Sequence, residues 1–250
     1  MKVLITGANG FIGKNLRERL QKVDRSIVVY YFDIETPKEK LEEFTKDCDF
    51  VYNFAAVHRP KDDGEFDVVN HLFFRGILDL LKKHNNNCPV LYTSSIQAGL
   101  DTKYGQSKVA AENELLRYGE QTGNRVIIYR LTNTFGRWAM PNHHSVVATF
   151  CYNLVKGVPL TISNPDIMMN FYYIDDVIDS FVAQLQGSMQ PDADGFFRLD
   201  ASKVYSITLG QLADTLTRIS EAVKTNREFV AVTPIEERLY TTYLSYHNEL

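Results

Sequence analysis

The chain has 250 residues, 44% of them hydrophobic, and is long enough to bury a sizeable core. Its 27 basic and 31 acidic residues give a net charge of −4, and no basic block supports a nucleic-acid or anionic-membrane partner. No apolar stretch approaches a membrane span, and three scattered cysteines indicate neither a disulfide framework nor a zinc cluster. We therefore expect a cytoplasmic protein with a small-molecule partner.

The amino-terminal segment predicts a strand, a glycine turn and a helix. Residues 2–6 form a short β-rich run, and leucines recur at helical spacing over 14–22. A glycine turn in this position is typical of a pyrophosphate site, because backbone N–H groups at the positive helix end face the anion. The glycines follow the spacing G-x-x-G-x-x-G, which departs from the usual G-x-G-x-x-G. The predicted cofactor-binding residues of this turn are Gly7, Asn9, Gly10, Phe11, Ile12 and Gly13.

Each glycine of the turn has an expected physical role. Gly7 would permit the tight turn, Gly10 would let backbone N–H groups approach a pyrophosphate, and Gly13 would let the helix pack close to the strand. The same glycines could instead form only a structural turn. Their position between a predicted strand and a predicted helix favours the dinucleotide site.

A second strand-like run, over 26–32, ends at Asp33. An acid in this position favours NAD, because its carboxylate can bind the free hydroxyls of the adenosine ribose. Lys38 and Lys40 follow shortly afterwards, and a neighbouring cation could accept the 2′-phosphate of NADP. Asp33 could also be only a turn residue that ends a strand.

Tyr104 and Lys108 lie one helical turn apart in a run of good helix formers. The pKa of tyrosine is about 10, so a tyrosine that exchanges protons near neutral pH needs its phenolate stabilised. An ammonium on the same helix face can provide that charge. Such pairs also occur by chance on solvated helices, but here a buried-strand run over 90–95 ends in Ser94 and Ser95 shortly before. A hydroxyl there can hold a substrate oxygen.

Together these motifs resemble the extended short-chain dehydrogenase/reductase family of NAD-dependent nucleotide-sugar epimerases, dehydratases and reductases. The resemblance covers nearly the whole chain and implies an α/β fold, a Rossmann-like doubly wound parallel sheet with a small C-terminal substrate-binding lobe. It implies that Ser95, Tyr104 and Lys108 are catalytic, with Tyr104 as general acid or base. Lys108 would lower the tyrosine pKa and bind the cofactor ribose, and Ser94 would contact the substrate.

The same resemblance assigns roles to five further residues. Ala55 and Ala56 match a strand signature at which small side chains let the cofactor lie close, and Asn70 matches a helix asparagine that helps to place the lysine. Asn133 and Arg137 match a substrate-side signature and would contact the nucleotide-sugar phosphates, although both could simply tie down a loop.

Two more predictions concern the downstream half. Asp175 and Asp176 open a helical run over 177–185, and we expect them to cap it rather than to take part in catalysis. His143 and His144 form a close histidine pair, which we expect to be a loop pair near the substrate pocket without a bound metal.

Within the family, several runs are similar to the reductase domain of bifunctional capsular-polysaccharide enzymes of UDP-N-acetyl-L-fucosamine synthesis. The short link of nine positions from Ser95 to Tyr104 fits that subgroup better than ordinary epimerases. The matching runs are 94–98, Trp138 with Pro141-Asn142, 145–152 and 239–246.

This narrower resemblance implies an NAD(P)H-dependent oxidoreductase that reduces the C4 ketone of a UDP-linked 6-deoxy-N-acetylhexosamine in capsule or surface polysaccharide synthesis. It implies NADP as cofactor, with NAD possible because of Asp33, and a homodimer. The resembling enzymes carry a C-terminal metal-binding cupin domain that these 250 residues do not contain. We expect either a truncated chain or a protein that performs the reduction only.

Three alternatives are open. A nucleotide-sugar 4-epimerase would use the same tyrosine but retain its NAD, and a non-catalytic NAD(P)-binding sensor or scaffold would use the fold without the chemistry. A dehydratase is less favoured, because that group follows the catalytic hydroxyl with an acidic pair, whereas Ile96 and Gln97 follow Ser95.

The strand and helix patterns divide one domain, 1–250, into two interleaved parts. About 1–136 would be mainly the dinucleotide-binding core and about 137–250 mainly the substrate-binding lobe. In the second part the patterns predict a helix over 145–155, a short strand over 160–163 and an amphipathic helix over 209–223.

Overall fold

The computed structural model describes residues 1–58, 60–143 and 145–249 and divides the chain into two compact units. The first unit contains Met1–Leu131 and Ile178–Arg198, and the second contains Thr132–Val177 and Leu199–Leu250. Among the described helices, none is both long and apolar enough to cross a membrane. The assignment of the two parts of the chain to cofactor and substrate stays a prediction.

The first unit is built on a parallel sheet with the strand order β2-β1-β3-β4-β5. Every neighbouring pair is parallel, which confirms the predicted Rossmann-like architecture. The order reverses between β1 and β3, and in such sheets ligands bind outside the carboxyl ends of the strands at the reversal. The strands are β1 (Lys2–Thr6), β2 (Val28–Phe32), β3 (Phe50–Asn53), β4 (Val90–Ser95) and β5 (Val126–Leu131).

Helices alternate with these strands along the chain. A π-helical turn, Val68–Leu72, joins two α-helical segments and places one extra residue in that stretch of helix. The helices are α1 (Phe11–Val23), α2 (Lys38–Thr45), α3 (Gly64–Asp67), α4 (Phe73–Lys83) and α5 (Lys103–Thr122).

Apolar side chains fill both faces of the sheet. On one face Tyr92 stacks on Phe74 of α4, with a ring separation of 4.9 Å. On the other face the Tyr52 hydroxyl donates to the Phe181 carbonyl oxygen at 2.8 Å, and Tyr129 lies 2.7 Å from the Ser180 hydroxyl. Residues 178–198 therefore complete the core of the first unit.

The glycine turn after β1 requires glycine for steric reasons. Gly7 has a φ of +65°, and a Cβ on it would lie 2.8 Å from the backbone nitrogen of Ala55. A Cβ on Gly13 would lie 2.3 Å from the carbonyl oxygen of Gly7. These contacts agree with the tight turn expected of Gly7 and the close packing expected of Gly13.

The second unit contains a three-stranded sheet of order β6-β7-β8, in which β6 and β7 are parallel and β7 and β8 antiparallel. The helix predicted over 145–155 begins after Ser145, whose hydroxyl accepts from the Ala148 N–H. The helix predicted over 209–223 begins with a capping box of Thr208 and Gln211. The elements are β6 (Asn133–Phe135), α6 (Val146–Val155), β7 (Met168–Tyr173), α7 (Ile174–Ala183), β8 (Tyr205–Thr208), α8 (Leu209–Lys224) and α9 (Pro234–Glu249).

The strand predicted over 160–163 is wrong. These residues alternate between partly buried and exposed, as a strand would, but they have no partner strand and form no ladder. Alternation alone does not make a strand where the backbone lacks a neighbour to bond.

We predict opposite effects of alanine at two helix glycines. Gly13→Ala should lower the free energy of unfolding by about 1–3 kcal/mol, because the new methyl group would overlap the Gly7 carbonyl oxygen. Gly76→Ala, in an exposed turn of α4 with no atom within 4 Å, should raise it by about 0.5–1 kcal/mol. Urea unfolding followed by circular dichroism tests both, and equal effects would contradict the steric argument.

Candidate active site

Ser95 and Tyr104 are brought together where β4 ends and α5 begins, close enough for the Ser95 hydroxyl to lower the pKa of the Tyr104 phenol. The Gln97 N–H donates to the Ser95 hydroxyl oxygen at 3.1 Å, so this oxygen is held by backbone and its own proton can point to a second acceptor. The Thr102 hydroxyl caps α5 by accepting from the Gly105 N–H at 3.0 Å, which places Tyr104 in the first helical turn.

Gly105 explains how the link between Ser95 and Tyr104 is so short. A Cβ at Gly105 would lie 2.6 Å from the carbonyl oxygens of Gln97 and Leu100. The loop therefore folds directly onto the first turn of α5, and a side chain at this position would push it away.

Lys108 is buried, with only 2% of its surface exposed. Its ammonium donates to the carbonyl oxygen of Thr93 at 3.0 Å and lies 5.6 Å from the ring centre of Tyr104. Burial lowers the pKa of Lys108 to about 8, and the nearby carboxylate of Glu112 opposes that shift. An ammonium has three donors, and Thr93 is its acceptor among the described residues, so two N–H groups remain for a bound ligand.

Burial also dominates the acidity of Tyr104. It raises the pKa of the phenol to about 12, and the hydrogen bond from Ser95 offsets the shift only in part. A lowering of this pKa by Lys108 stays a prediction, and at a pKa of about 12 the phenol keeps its proton. Tyr104 is thus held protonated at neutral pH.

Asn70 lies in the π-helical turn and connects two segments of the site. Its amide oxygen accepts from the Val57 N–H at 2.7 Å, and its amide nitrogen donates to the Val57 carbonyl oxygen at 3.1 Å. The same nitrogen donates to the hydroxyl of Ser107 at 3.1 Å, directly beside Lys108 in sequence. The lysine-placing role expected of Asn70 stays a prediction, and the contact with Ser107 is the one that could support it.

The Ser94 side chain does not point to the same face of β4 as that of Ser95. Consecutive side chains of a strand point to opposite faces, and the Ser94 hydroxyl donates to the buried carboxylate of Glu112 at 2.5 Å. Glu112 also accepts two hydrogen bonds from Arg130. The Ser94 hydroxyl is thus used within the protein.

The glycine turn fits a dinucleotide. The first N–H groups of α1 have no acceptor within the helix, and Gly10 has no side chain to supply one, so they remain available to an anion. Asp33 lies beside them, and its carboxylate accepts from the Asn9 N–H at 2.7 Å and from the Ile34 N–H at 2.8 Å. Ala55 meets Gly7 in the close approach described above, so this part of the turn is lined by small residues.

Arg17 is a residue of this region that sequence reasoning missed. Its guanidinium donates to the Asn9 side-chain oxygen at 2.9 Å and lies 4.1 Å from the ring centre of Tyr31. Within the described part of the chain no carboxylate lies within salt-bridge distance of it. The available signal was helical spacing, since Arg17 follows Gly13 by one turn.

His58 is a second residue that sequence reasoning missed. Its ring lies 5.1 Å from that of Tyr104, and the ring of Phe66 covers another side at 5.9 Å. These rings help to shield the phenol from water. Only the position of His58 shortly after the strand signature at 54–56 pointed to it.

The other two predicted substrate residues, Asn133 and Arg137, belong to the second unit. The Asn133 side chain is exposed and donates to the Asn170 carbonyl oxygen at 3.4 Å. The guanidinium of Arg137 lies 4.4 Å from the ring centre of Trp138. Their contacts with a substrate stay a prediction.

The downstream acids and histidines have separate outcomes. Asp176, in the first turn of α7, pairs with Lys203 at 2.8 Å and accepts from the Tyr205 hydroxyl at 3.1 Å, which agrees with a structural role. The capping expected of Asp175 and Asp176 stays a prediction. His144 lies outside the described residues, so the prediction for the histidine pair is untested. In the part of the chain that is described, no three His, Cys, Asp or Glu side chains cluster as a metal site.

Residues 3–194 match the model of the NAD dependent epimerase/dehydratase family. The chain belongs to this family. That confirms the resemblance seen in the sequence, and the glycine turn and the Ser95, Tyr104 and Lys108 centre both lie within the matched region.

The chain is 37% identical over 246 residues to the UDP-2-acetamido-2,6-beta-L-arabino-hexul-4-ose reductase of Pseudomonas aeruginosa, and the match covers 98% of this chain and 65% of that protein. It is similar to the crystal structure of the capsular polysaccharide assembling protein CapF from Staphylococcus aureus, with a TM-score of 0.87, 33% identity and coverage of 98% and 66%. The chain thus spans just under two thirds of the length of both relatives.

The chain is also similar to the crystal structure of a UDP-glucuronic acid 4-epimerase from Bacillus cereus in complex with NAD. The TM-score is 0.81 and the identity 17%, and the match covers 99% of each chain. At that identity the likeness shows the fold alone.

We predict that Lys108→Met stabilises the protein at neutral pH. The pKa of Lys108 is about 8 in the folded protein and near 10.5 in the unfolded chain, so the unfolded chain binds more protons between these values. The penalty for burying the ammonium is complete below pH 8 and disappears as the pH rises to 10.5. The variant should be more stable at pH 7 by on the order of 1–3 kcal/mol.

Urea unfolding at pH 7 and pH 10 measures this difference, which should shrink at the higher pH. Lys14→Met, at an exposed position of α1, is the matched control and should show no such dependence. A Lys108→Met advantage that is the same at both pH values would contradict the assignment.

Proposed function

We propose that this chain is an NAD(P)H-dependent reductase of the C4 ketone of a UDP-linked 6-deoxy-N-acetylhexosamine. The 37% identity to a hexul-4-ose reductase, together with the Ser95, Tyr104 and Lys108 centre, carries the proposal. The similarity to CapF favours a place in capsular or surface polysaccharide synthesis. Both relatives are longer than this chain, so the proposal concerns the reduction only.

The geometry supports a simple division of tasks for the reduction. A bound nicotinamide cofactor supplies the hydride. Ser95, whose oxygen is held by the Gln97 N–H, donates to the ketone oxygen and orients it. Tyr104, protonated at neutral pH, gives its phenolic proton to that oxygen as negative charge develops there.

The charge of Lys108 stabilises the phenolate that Tyr104 becomes. The Lys108 ammonium lies 5.6 Å from the tyrosine ring, and its two remaining N–H groups suit the hydroxyls of the cofactor ribose. Before the ketone binds, the Ser95 hydroxyl faces the Tyr104 phenol instead. The raised pKa keeps Tyr104 protonated before each turnover, so its proton is available to the ketone oxygen.

For the cofactor we propose NADP, with NAD accepted more weakly. The Arg17 guanidinium donates to the side-chain oxygen of Asn9. The Asp33 carboxylate accepts from the backbone N–H of the same residue. Two backbone N–H groups already bind the Asp33 carboxylate, one on each oxygen. Arg17 has no carboxylate partner in the described part of the chain, and a guanidinium binds phosphate through paired charged hydrogen bonds.

The remaining roles stay predictions. We retain Asn133 and Arg137 as residues for the nucleotide-sugar phosphates on the resemblance, and Ala55 and Ala56 as cofactor neighbours. Ser94 is not included among the proposed substrate residues because its hydroxyl is bound by Glu112. A cytoplasmic homodimer is likewise a proposal.

We predict that Tyr104→Phe abolishes the reduction. Purified protein with a UDP-6-deoxy-4-keto-N-acetylhexosamine should consume NADPH stoichiometrically at 340 nm, and the variant should lose about 10²-fold or more of that rate. The dissociation constant for NADPH should stay close to that of wild type. Unchanged turnover in the variant would refute the assignment of Tyr104.

The same assay separates the rival function. Wild-type protein that consumes no NADPH, but carries tightly bound NAD and interconverts sugar isomers, would be a 4-epimerase. Absence of both activities, with normal dinucleotide binding, would favour a non-catalytic NAD(P)-binding protein.

We also predict that Arg17→Leu changes the cofactor preference. The dissociation constant for NADPH should rise by about tenfold or more, about 1.4 kcal/mol, while that for NADH changes little. Fluorescence titration of the reduced cofactors measures both constants without substrate. Arg19→Leu, on the same helix and paired with Asp179, is the control and should leave both constants unchanged. Equal weakening of NADPH and NADH by Arg17→Leu would refute the phosphate role.

A further inference from the structure

Glu112 is a buried acid next to the proposed catalytic centre to which neither the sequence motifs nor the proposed function assign a role. It lies on α5 one turn beyond Lys108 and two turns beyond Tyr104, and 2% of its surface is exposed. An isolated carboxylate this deeply buried costs several kcal/mol, so its partners have to satisfy it.

Three hydrogen bonds satisfy the Glu112 carboxylate. The Ser94 hydroxyl donates at 2.5 Å, and Arg130 donates through Nε at 2.9 Å and Nη2 at 2.7 Å. Ser94 and Arg130 are register partners on β4 and β5, so the carboxylate joins α5 to both strands. The guanidinium of Arg130 is covered on its other side by Phe196, 3.9 Å from the ring centre.

These bonds act directly on the neighbours of the catalytic residues. Lys108 binds the carbonyl oxygen of Thr93, and Glu112 binds the hydroxyl of Ser94, so α5 is fastened to β4 at the two residues immediately before Ser95. The Ser95 hydroxyl and the Lys108 ammonium are therefore held by one rigid joint between strand and helix.

Glu112 also balances the charge of this joint. The groups that face the Lys108 ammonium are the phenols of Tyr92 and Tyr104 and the carboxylate of Glu112, which Arg130 partly neutralises. His71, in the π-helical turn packed on α5, binds Asp67, and His58 packs on the far side of Tyr104. Among these, Glu112 is the group that raises the pKa of Lys108 against burial.

We propose that Glu112 is a positioning residue of this site, which holds Ser95 and Lys108 in register through Ser94 and keeps the Lys108 ammonium charged while it is buried. The proposal deepens the proposed function and rests on it for its effect on turnover. Its effect on Lys108 does not depend on the identity of the substrate.

The test is the titration of Lys108 in Glu112→Gln. Protein labelled with ¹³Cε-lysine, with the Lys108 signal assigned from Lys108→Arg, gives the midpoint of its titration by NMR. We expect the midpoint to move down by about one pH unit or more in Glu112→Gln. Glu120→Gln, the same substitution at an exposed position of α5, should leave it unchanged.

A second variant covers the case in which Glu112→Gln fails to fold because Arg130 has lost its partner. The double variant Glu112→Gln with Arg130→Gln leaves no unpaired charge and should show a smaller downward shift, because the positive charge of Arg130 is removed together with the carboxylate. An unchanged Lys108 midpoint in whichever of the two variants folds would overturn the proposal, because a merely structural acid would not move it.

Turnover provides the second measurement. With NADPH and the keto sugar, Glu112→Gln should lower kcat by about tenfold, and the alkaline limb of its pH profile should move to lower pH. The dissociation constant for NADPH should stay within about twofold, less than 0.5 kcal/mol. A kcat equal to that of Glu120→Gln would also overturn the proposal.

The two proposals fail in different ways. If the wild-type protein does not consume NADPH with the keto sugar, the proposed function is wrong, and the NMR midpoint still decides the role of Glu112. If wild type is active and the midpoint does not move, the positioning role alone is wrong.

Discussion

The burial of one ammonium group organises the candidate active site of the first unit. A lysine that is 2% exposed needs acceptors and a nearby negative charge, and Lys108 obtains them from the Thr93 carbonyl oxygen and from Glu112. Both partners tie α5 to the last residues of β4. The meeting of Tyr104 with Ser95 is therefore a consequence of how the lysine is accommodated, together with the close approach that Gly105 permits.

Desolvation gives this site two groups whose pKa values move in opposite directions. Burial raises the pKa of Tyr104 to about 12 and lowers that of Lys108 to about 8. In each case the neutral form is favoured, which is the expected response to loss of water. In the folded state, the charged forms of both groups are therefore less stable than they would be in water. Transfer of a proton from the phenol creates an anion that the ammonium can then neutralise.

Much of this site could be predicted because its chemistry follows local spacing. A turn of three glycines between a strand and a helix, and a tyrosine and lysine four residues apart, depend on short stretches of chain whose geometry is largely independent of the rest of the fold. The strand over 90–95 and the helices over 145–155 and 209–223 were likewise visible in hydrophobic periodicity.

What could not be predicted depends on partners distant in sequence. The direction of Ser94 is decided by Glu112 and Arg130, which come from a helix and a neighbouring strand. The position of the Arg17 side chain is fixed by its contacts with Asn9 and Tyr31. The π-helical turn around Asn70 leaves no periodic pattern in the sequence. The run over 160–163 has the pattern of a strand but no neighbour to pair with. Periodicity reports which side of an element is apolar, and it does not report which other element lies there.

The chain leaves the first unit after β5 and returns to it at Ile178, so this unit is completed only late in synthesis. The hydroxyls of Tyr52 and Tyr129 form hydrogen bonds with residues in 178–198. In the sequence, these residues follow the first part of the second unit. A ribosome that has just made β5 therefore carries a sheet with one face still incomplete and its aromatic side chains uncovered. These strands become fully covered only after some sixty further residues have been translated, so the nascent first unit is most in need of protection from aggregation during that interval.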